Sequence, residues 1–262
     1  MDLNLKDKIV IVTGGAKGIG KAIVIELAEE GAIPVIIGRK AADNLLVEEE
    51  IKDFGGSSFS VEAELSNPDE CKKAVQIVLD KFGRIDGLVN NAGQNDGVGL
   101  ASGDYASFMS SLHKNLVHYY LMAHYSLDAL KKSKGSIVNI SSKTAETGQG
   151  NTSAYAASNG GRNALTREWA VELLPFSIRV NAIIVAESAT PQYDTWIKTL
   201  TNPEETLKKI TDRIPLEHRM TKPEEIANIA LFLLSDKSSH TTGQLIHVDG
   251  GYVHLDRSLI KE

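Results

Sequence analysis

Short runs of β-branched and other apolar residues, apolar at consecutive rather than alternate positions, recur along this chain with amphipathic segments between them. Lys8–Thr13, Ile33–Gly38, Ser58–Glu64, Gly87–Asn90, Ser136–Ile140, Ile178–Ile184 and Gln244–Val248 are such runs. A strand apolar on both faces must be buried on both, and a parallel sheet covered by helices on each side achieves that. Helical spacing fills the gaps at Ile19–Glu30, Asn44–Phe54 and Pro68–Phe82, and again after Pro223. Pro68 takes a first-turn position, where its missing N–H is not needed. The expected fold class is α/β, a doubly wound parallel sheet of about seven strands. The 262 residues suit one large α/β domain, and no repeat, low-complexity tract or linker divides them. A single domain over 1–262 is expected, with a substrate lid near 187–220.

Composition narrows the function classes. A hydrophobic fraction of 42% with 24% charged residues fits a globular protein and excludes wholesale disorder. The formal net charge of −6 argues against a nucleic-acid partner, which needs a basic face; Lys131–Lys134 reads as a solvated helix end. No apolar run approaches the roughly 20 residues that span a bilayer, so no membrane partner is expected. Residues 1–8 show no secretory signal, which makes the cytoplasm the expected compartment. Cys71, the one cysteine, is expected to be a buried structural thiol. His113, His118 and His124 lack ligand spacing with acidic partners, so they are expected to be structural and no metal is expected.

Two places carry chemistry. Thr13-Gly-Gly-Ala-Lys-Gly-Ile-Gly20 lies between the first strand and the first helix. Its glycines at 14, 18 and 20 allow a tight turn and a close approach to a pyrophosphate at the helix N-terminus. The spacing departs from Gly-x-Gly-x-x-Gly, but the flanking strand and helix favour cofactor binding over a plain connection. Further on, the run Gly135–Ser142 ends in serines and Tyr155 opens a helix, which puts two hydroxyls at one strand-end cleft. Asn159 follows Tyr155 by one helical turn on the same face, where such a site wants a cation.

Thr13-Gly-x-x-x-Gly-x-Gly20, Asn90-Asn-Ala-Gly93, Asn115, Ser142, Tyr155 and Val248-Asp-Gly-Gly-Tyr252 together resemble the short-chain dehydrogenase/reductase family over essentially the whole chain. The resemblance implies a Rossmann-type single domain, a nicotinamide dinucleotide, and a homotetramer or homodimer. It implies that Gly14, Lys17, Gly18, Ile19 and Gly20 line the pyrophosphate turn, that Glu64 and Leu65 border the adenine, and that Asn91, Ala92 and Gly93 border the adenosine ribose. Thr190 would meet the nicotinamide carboxamide, and Tyr155 and position 159 the nicotinamide ribose. Gly38 stands where the family's NAD enzymes carry Asp, and Arg39 and Lys40 follow it. With Lys17 in the glycine turn, that charge favours NADP, with NAD the alternative.

In the family the residue four after the Tyr is Lys, which assists the Tyr as general base and holds the nicotinamide ribose. Ser142 would hold the substrate oxygen, and Asn115 would anchor a water through which the proton leaves. A free phenol titrates near ~10, so without the cation the base is weaker by about 3 pKa units, or roughly a thousandfold in phenolate at neutral pH. The expectation is a protein that folds, binds cofactor and turns over slowly, and that gains at least about a hundredfold from Asn159→Lys. Arg162 shares the face of Asn159, but its bulk and geometry argue against it as a stand-in. An otherwise intact site favours a deliberate or recent replacement over natural loss or sequence error.

The loop Lys143–Asn151 must lie over the site, and there Gln149 and Asn151 offer donors and acceptors to a hydroxylated substrate. Glu187 could accept from sugar hydroxyls, Trp196 and Tyr193 could supply a flat face, and Gln94, Asn95 and Asp96 add polar reach. The Asn139–Ala145, Gly148–Ser153, Leu165–Ala170, Ala186-Glu187 with Thr190-Pro191, and Tyr252–Arg257 segments resemble the L-fucose dehydrogenase type of sugar dehydrogenase. Asn159, and Val185 where Pro is expected, depart from it. This resemblance implies oxidation of the anomeric hydroxyl of an aldose to a lactone. His254, Asp256 and Arg257 either close a pocket or make a plain tail contact. A carbonyl reductase acting on an oxoacyl group and a catalytically silent dinucleotide-binding protein are the alternatives.

Overall fold

The computed structural model describes residues 2–255; Asp256 and Arg257 lie outside the described residues. Its elements run β1 (Ile9–Thr13), α1 (Gly18–Glu29), β2 (Ile33–Gly38), α2 (Ala41–Asp53), β3 (Phe59–Glu62), α3 (Pro68–Phe82) and β4 (Gly87–Asn90). Then follow α4 (Tyr105–Leu112), α5 (His118–Ser133), β5 (Ser136–Ser142), α6 (Ser153–Glu172) and β6 (Arg179–Val185). The chain continues with α7 (Pro191–Ile197), α8 (Pro203–Thr211), α9 (Pro223–Leu234) and β7 (Leu245–Val248).

The strands form one seven-stranded sheet in the order β3-β2-β1-β4-β5-β6-β7. Every pairing is parallel. Alternate side chains of one strand serve opposite cores. Ile9 and Ile11 of β1 pack with buried residues of α3, α5 and α6, while Val10 and Val12 pack with those of α1 and α9. This is why the runs are apolar at consecutive positions. Cys71 is fully buried in the first of these cores.

Capping chemistry sets several boundaries. Asn67 accepts from the N–H of Asp69 at 3.0 Å ahead of Pro68, and Gly83 ends α3 in the left-handed region at φ 68°. Asp104 and Ser107 form a reciprocal capping box on α4. Differences from expectation lie at edges: β5 runs on to Ser142 and β6 to Val185, because Ser141 and Ser142 pair with Ile184 and Val185 despite their polarity. The π-helical turn His113–Val117 that joins α4 to α5 has no period in the sequence to announce it. The expected lid holds two short helices, α7 and α8, each opened by proline. Among the described residues no helix is long and apolar enough to cross a membrane.

Candidate active site

Parallel register brings all the strand C-termini to one edge, where the order reverses between β1 and β4, the place where open α/β sheets bind ligands. The turn after β1 sits there. A Cβ on Gly20 would stand 2.3 Å from the Gly14 carbonyl oxygen and 2.5 Å from Asn91 Nδ2. Only glycine lets α1 start so close to the turn. Asn91 staples the two strand ends by donating from Nδ2 to the carbonyls of Thr13 (2.9 Å) and Gly14 (3.3 Å). Thr13 Oγ1 accepts from the N–H groups of Asn91 (2.9 Å) and Ala92 (3.1 Å). Thr190, which caps α7, lies with its methyl 3.3 Å from the Cβ position of Gly18, so the start of the lid meets the glycine turn. The expected Gly14, Gly18, Gly20, Asn91, Ala92 and Thr190 thus converge, and Lys17 and Ile19 belong to the same turn.

The end of β2 is shaped by an absence of side chain. A Cβ at Gly38 would come 2.4 Å from Asn44 Oδ1, whose own amide donates to the Gly38 carbonyl at 3.2 Å. No aspartate fits there without displacing Asn44. Arg39 and Lys40 are exposed beyond it. Lys17 is not a free charge, since it pairs with Asp43 at 2.7 Å and through that hydrogen bond holds the Asp43 carboxyl below its ordinary range. Glu64 is exposed and accepts from the N–H and hydroxyl of Ser66, contacts that keep its carboxyl low, while Leu65 is buried. A glycine cradle, a helix N-terminus and a basic strand end fit a dinucleotide.

The residues expected to be catalytic, Ser142 and Tyr155, lie on β5 and α6. Ser142 ends β5, and its Oγ accepts from the Thr144 N–H (3.2 Å) and hydroxyl (3.1 Å), which leaves its own proton to donate. Ser141 Oγ ties that strand end to α6 by donating to Asn163 Oδ1 at 2.7 Å and to the Asn159 carbonyl at 3.3 Å. Tyr155 is partly buried in the first turn of α6.

Asn159, expected to meet the nicotinamide ribose, lies on the inner side of α6. It has no exposed surface, and its side chain turns onto its own helix, donating from Nδ2 to the Tyr155 carbonyl at 2.8 Å. Its Oδ1 accepts from Arg162 Nη1 at 2.9 Å. Arg162, whose bulk and geometry argued against it as a stand-in cation, packs against this side of α6. Arg162 is buried at 3% exposure, with Nε donating to the Asn115 carbonyl (2.7 Å) and Nη1 to the Ile140 carbonyl (3.1 Å). Its guanidinium carbon lies 4.2 Å above the Tyr119 ring and 5.9 Å from the Tyr155 ring centre. Backbone carbonyls and an aromatic face supply what a buried guanidinium needs.

Asn115 sits in the π-helical turn, fully buried. Its Oδ1 accepts from the Gln94 N–H at 2.7 Å and its Nδ2 donates to Ser111 O at 3.0 Å. Its side-chain amide is satisfied by these partners, and its carbonyl is the socket for Arg162.

The wall beyond Ser142 joins residues expected to meet substrate with others, Lys143, Glu146 and His247, that the sequence left without a role. Lys143, next to Ser142, forms a largely buried ion pair with Glu187, just past the end of β6, and its ammonium lies 4.0 Å from the Tyr252 ring centre. Tyr193 and Trp196 meet edge to face at 5.1 Å. Burial raises the Tyr193 phenol above its ordinary range, and the Glu187 charge adds to this. Glu146, His247 and His254 converge with ligand-type atoms within 4.8 Å, with His247 and Glu146 paired at 2.9 Å; only the fold reveals this cluster. Asn151, at φ 55°, packs the loop after Ser142 against Gly99. Gln149, Asn95 and Trp196 remain exposed on the rim, Asn95 accepting from the Gly97 N–H. His118 is structural as expected, its Nε2 hydrogen-bonded to the Lys114 carbonyl at 2.9 Å.

Known proteins share this fold and much of this sequence. A family model described as enoyl-(acyl carrier protein) reductase matches residues 14–253. The crystal structure of Cj0485 dehydrogenase superposes with a TM-score of 0.94 at 46% identity, covering 100% of both chains. The 3-oxoacyl-[acyl-carrier-protein] reductase FabG of Thermotoga maritima is 37% identical, over 96% of this chain and 100% of its own. The L-fucose dehydrogenase of Bos taurus is 33% identical, over 93% of this chain and 88% of its own. With a family model matched over residues 14–253 and relatives of this kind, the chain belongs to the short-chain dehydrogenase/reductase family, enzymes that act on CH–OH or carbonyl groups with NAD(P).

Proposed function

We propose that this protein oxidises the C1 hydroxyl of an aldose of the L-fucose type to the lactone, with NADP preferred over NAD. The observation that carries the reading is the Lys143–Glu187 pair beside Ser142. A buried ammonium and carboxylate held together offer both donors and acceptors to a ring of hydroxyls. An acyl chain would leave these charges facing methylene groups. Tyr193 and Trp196 add an aromatic face suited to the C–H side of a sugar.

In this reading Ser142 donates to the substrate oxygen and Tyr155 takes the hydroxyl proton. The dinucleotide, when bound, supplies the hydride acceptor. Gly14 to Gly20 would hold its pyrophosphate, and Arg39 and Lys40 its adenosine end. The clash that bars an acidic residue at Gly38 supports NADP, and the pairing of Lys17 with Asp43 tempers that preference. Exposed Tyr120 on α5 and Val171 on α6 suit a homodimer or homotetramer.

Reduction of a 3-oxoacyl thioester is the second reading, favoured by the higher identity to the FabG reductase. A panel of aldoses with NADP, assayed beside a 3-oxoacyl thioester with NADPH, separates the two. Faster turnover of a deoxy- or aldohexose supports the proposal. Turnover of the thioester alone overturns it.

A further inference from the structure

We propose that the Arg162 guanidinium is the cation of this active site, holding Tyr155 ready to take a proton and offering its unpartnered Nη2 to the dinucleotide. This rests on the dehydrogenase reading of Tyr155 and goes beyond it, because the cation comes from a position three residues after Asn159.

Three observations carry it. First, Asn159 is a receptor for Arg162: its Oδ1 accepts from Nη1 while its Nδ2 is spent on the Tyr155 carbonyl. A lysine at 159 would abolish that acceptor and set a second cation against the first. Second, Nε and Nη1 are fixed by carbonyls of the π-helical turn and of β5, so the charge is locked in place, stacked on Tyr119 and 5.9 Å from the Tyr155 ring centre. Third, Nη2 is buried and has no hydrogen-bond partner among the described residues. A Cβ at Gly93, an exposed glycine, would lie 2.8 Å from it. Only a thin, side-chain-free layer therefore covers a buried cationic donor, and leaving such a donor unmet is costly. A ribose hydroxyl reaching past Gly93 would satisfy it.

The other groups facing the guanidinium are Tyr119 beneath it and His118, on which Glu64 also acts. Burial, reinforced by Arg162, holds His118 down at about 3, and burial raises Tyr119 above its ordinary range. Neither changes charge across the neutral range. Lys143 and Glu187 neutralise each other in the outer wall. The guanidinium is thus the charged group that faces the Tyr155 ring from this core.

The test compares the native chain with Arg162→Met, Arg162→Lys, Asn159→Lys and the double variant Asn159→Lys/Arg162→Met. Melting temperature, NADP affinity by fluorescence titration and the pH–rate profile are measured for each. Arg162→Met is expected to bind NADP about tenfold more weakly. It is also expected to lower the plateau of the pH–rate profile at least about tenfold. Arg162→Lys, which keeps the charge, recovers most of that plateau. Asn159→Lys alone is expected to lose activity and melting temperature, and the double variant to regain both. The proposal is overturned if Arg162→Met lowers only the melting temperature, or if Asn159→Lys alone gives about a hundredfold gain. Affinity is read without any substrate, and the profile with whichever substrate turns over, so failure of the sugar reading stays distinct from failure of this one.

Discussion

Replacing Gly20 with alanine adds one methyl group at the tightest point of the nucleotide turn. That carbon would sit 2.3 Å from the Gly14 carbonyl oxygen and 2.5 Å from Asn91 Nδ2, and the oxygen is backbone that cannot rotate away. Relief requires α1 to retreat, or Asn91 to swing off the Thr13 and Gly14 carbonyls that it holds at 2.9 and 3.3 Å. Overpacking costs about 1–3 kcal/mol, and two weakened hydrogen bonds add about 1 kcal/mol each. The sum is about 3–5 kcal/mol. Urea unfolding of Gly20→Ala should show that loss, and NADP titration a fall of at least about a hundredfold, because the turn that opens is the one that binds. A variant within about 0.5 kcal/mol of the native chain that binds NADP equally well would refute the claim that close approach at Gly20 builds the site.

Other consequences are as direct. In the unfolded chain His118 takes a proton near its ordinary 6.5, whereas in the fold burial holds it down at about 3. The unfolded state therefore binds more protons between these values. The associated stability is present above about 6.5 and drains as pH falls, by about 2 kcal/mol from pH 7 to pH 5, a slope that His118→Gln should remove in urea titrations. Asp43→Asn releases Lys17, so NADP affinity should rise about twofold to fivefold at low salt while NAD affinity stays fixed. Glu187→Ala strands a buried Lys143 at a cost of about 3–5 kcal/mol in melting experiments. Replacing both partners with methionine should restore stability but leave KM for the aldose raised at least about tenfold.

The fold was legible because each strand must satisfy two cores, as the split of Ile9 and Ile11 from Val10 and Val12 shows. The glycine turn, and the placing of Ser142 at a strand end and Tyr155 at a helix start, were legible because apolar runs fix where strands stop and helices begin. Arg162 was visible only as a face-mate of Asn159. Its acceptance depends on the Asn115 and Ile140 carbonyls and the Tyr119 ring, which come from the π-helical turn, β5 and α5. No helical spacing encodes that convergence. The Lys143–Glu187 and Glu146–His247 pairs were hidden for the same reason, being 44 and 101 residues apart in sequence. The weight given to Lys17 as a phosphate ligand missed Asp43, which comes into reach only when α2 packs beside the glycine turn.

The most direct test of the proposed activity follows the hydride itself. L-fucose deuterated at C1 is incubated with NADP and the native protein, and the reduced dinucleotide is examined by mass spectrometry. The aldose reading predicts one deuterium in NADPH and an equal amount of aldonic acid. Unlabelled NADP recovered with the sugar intact, while deuterated NADPH passes its label to a 3-oxoacyl thioester, would contradict it.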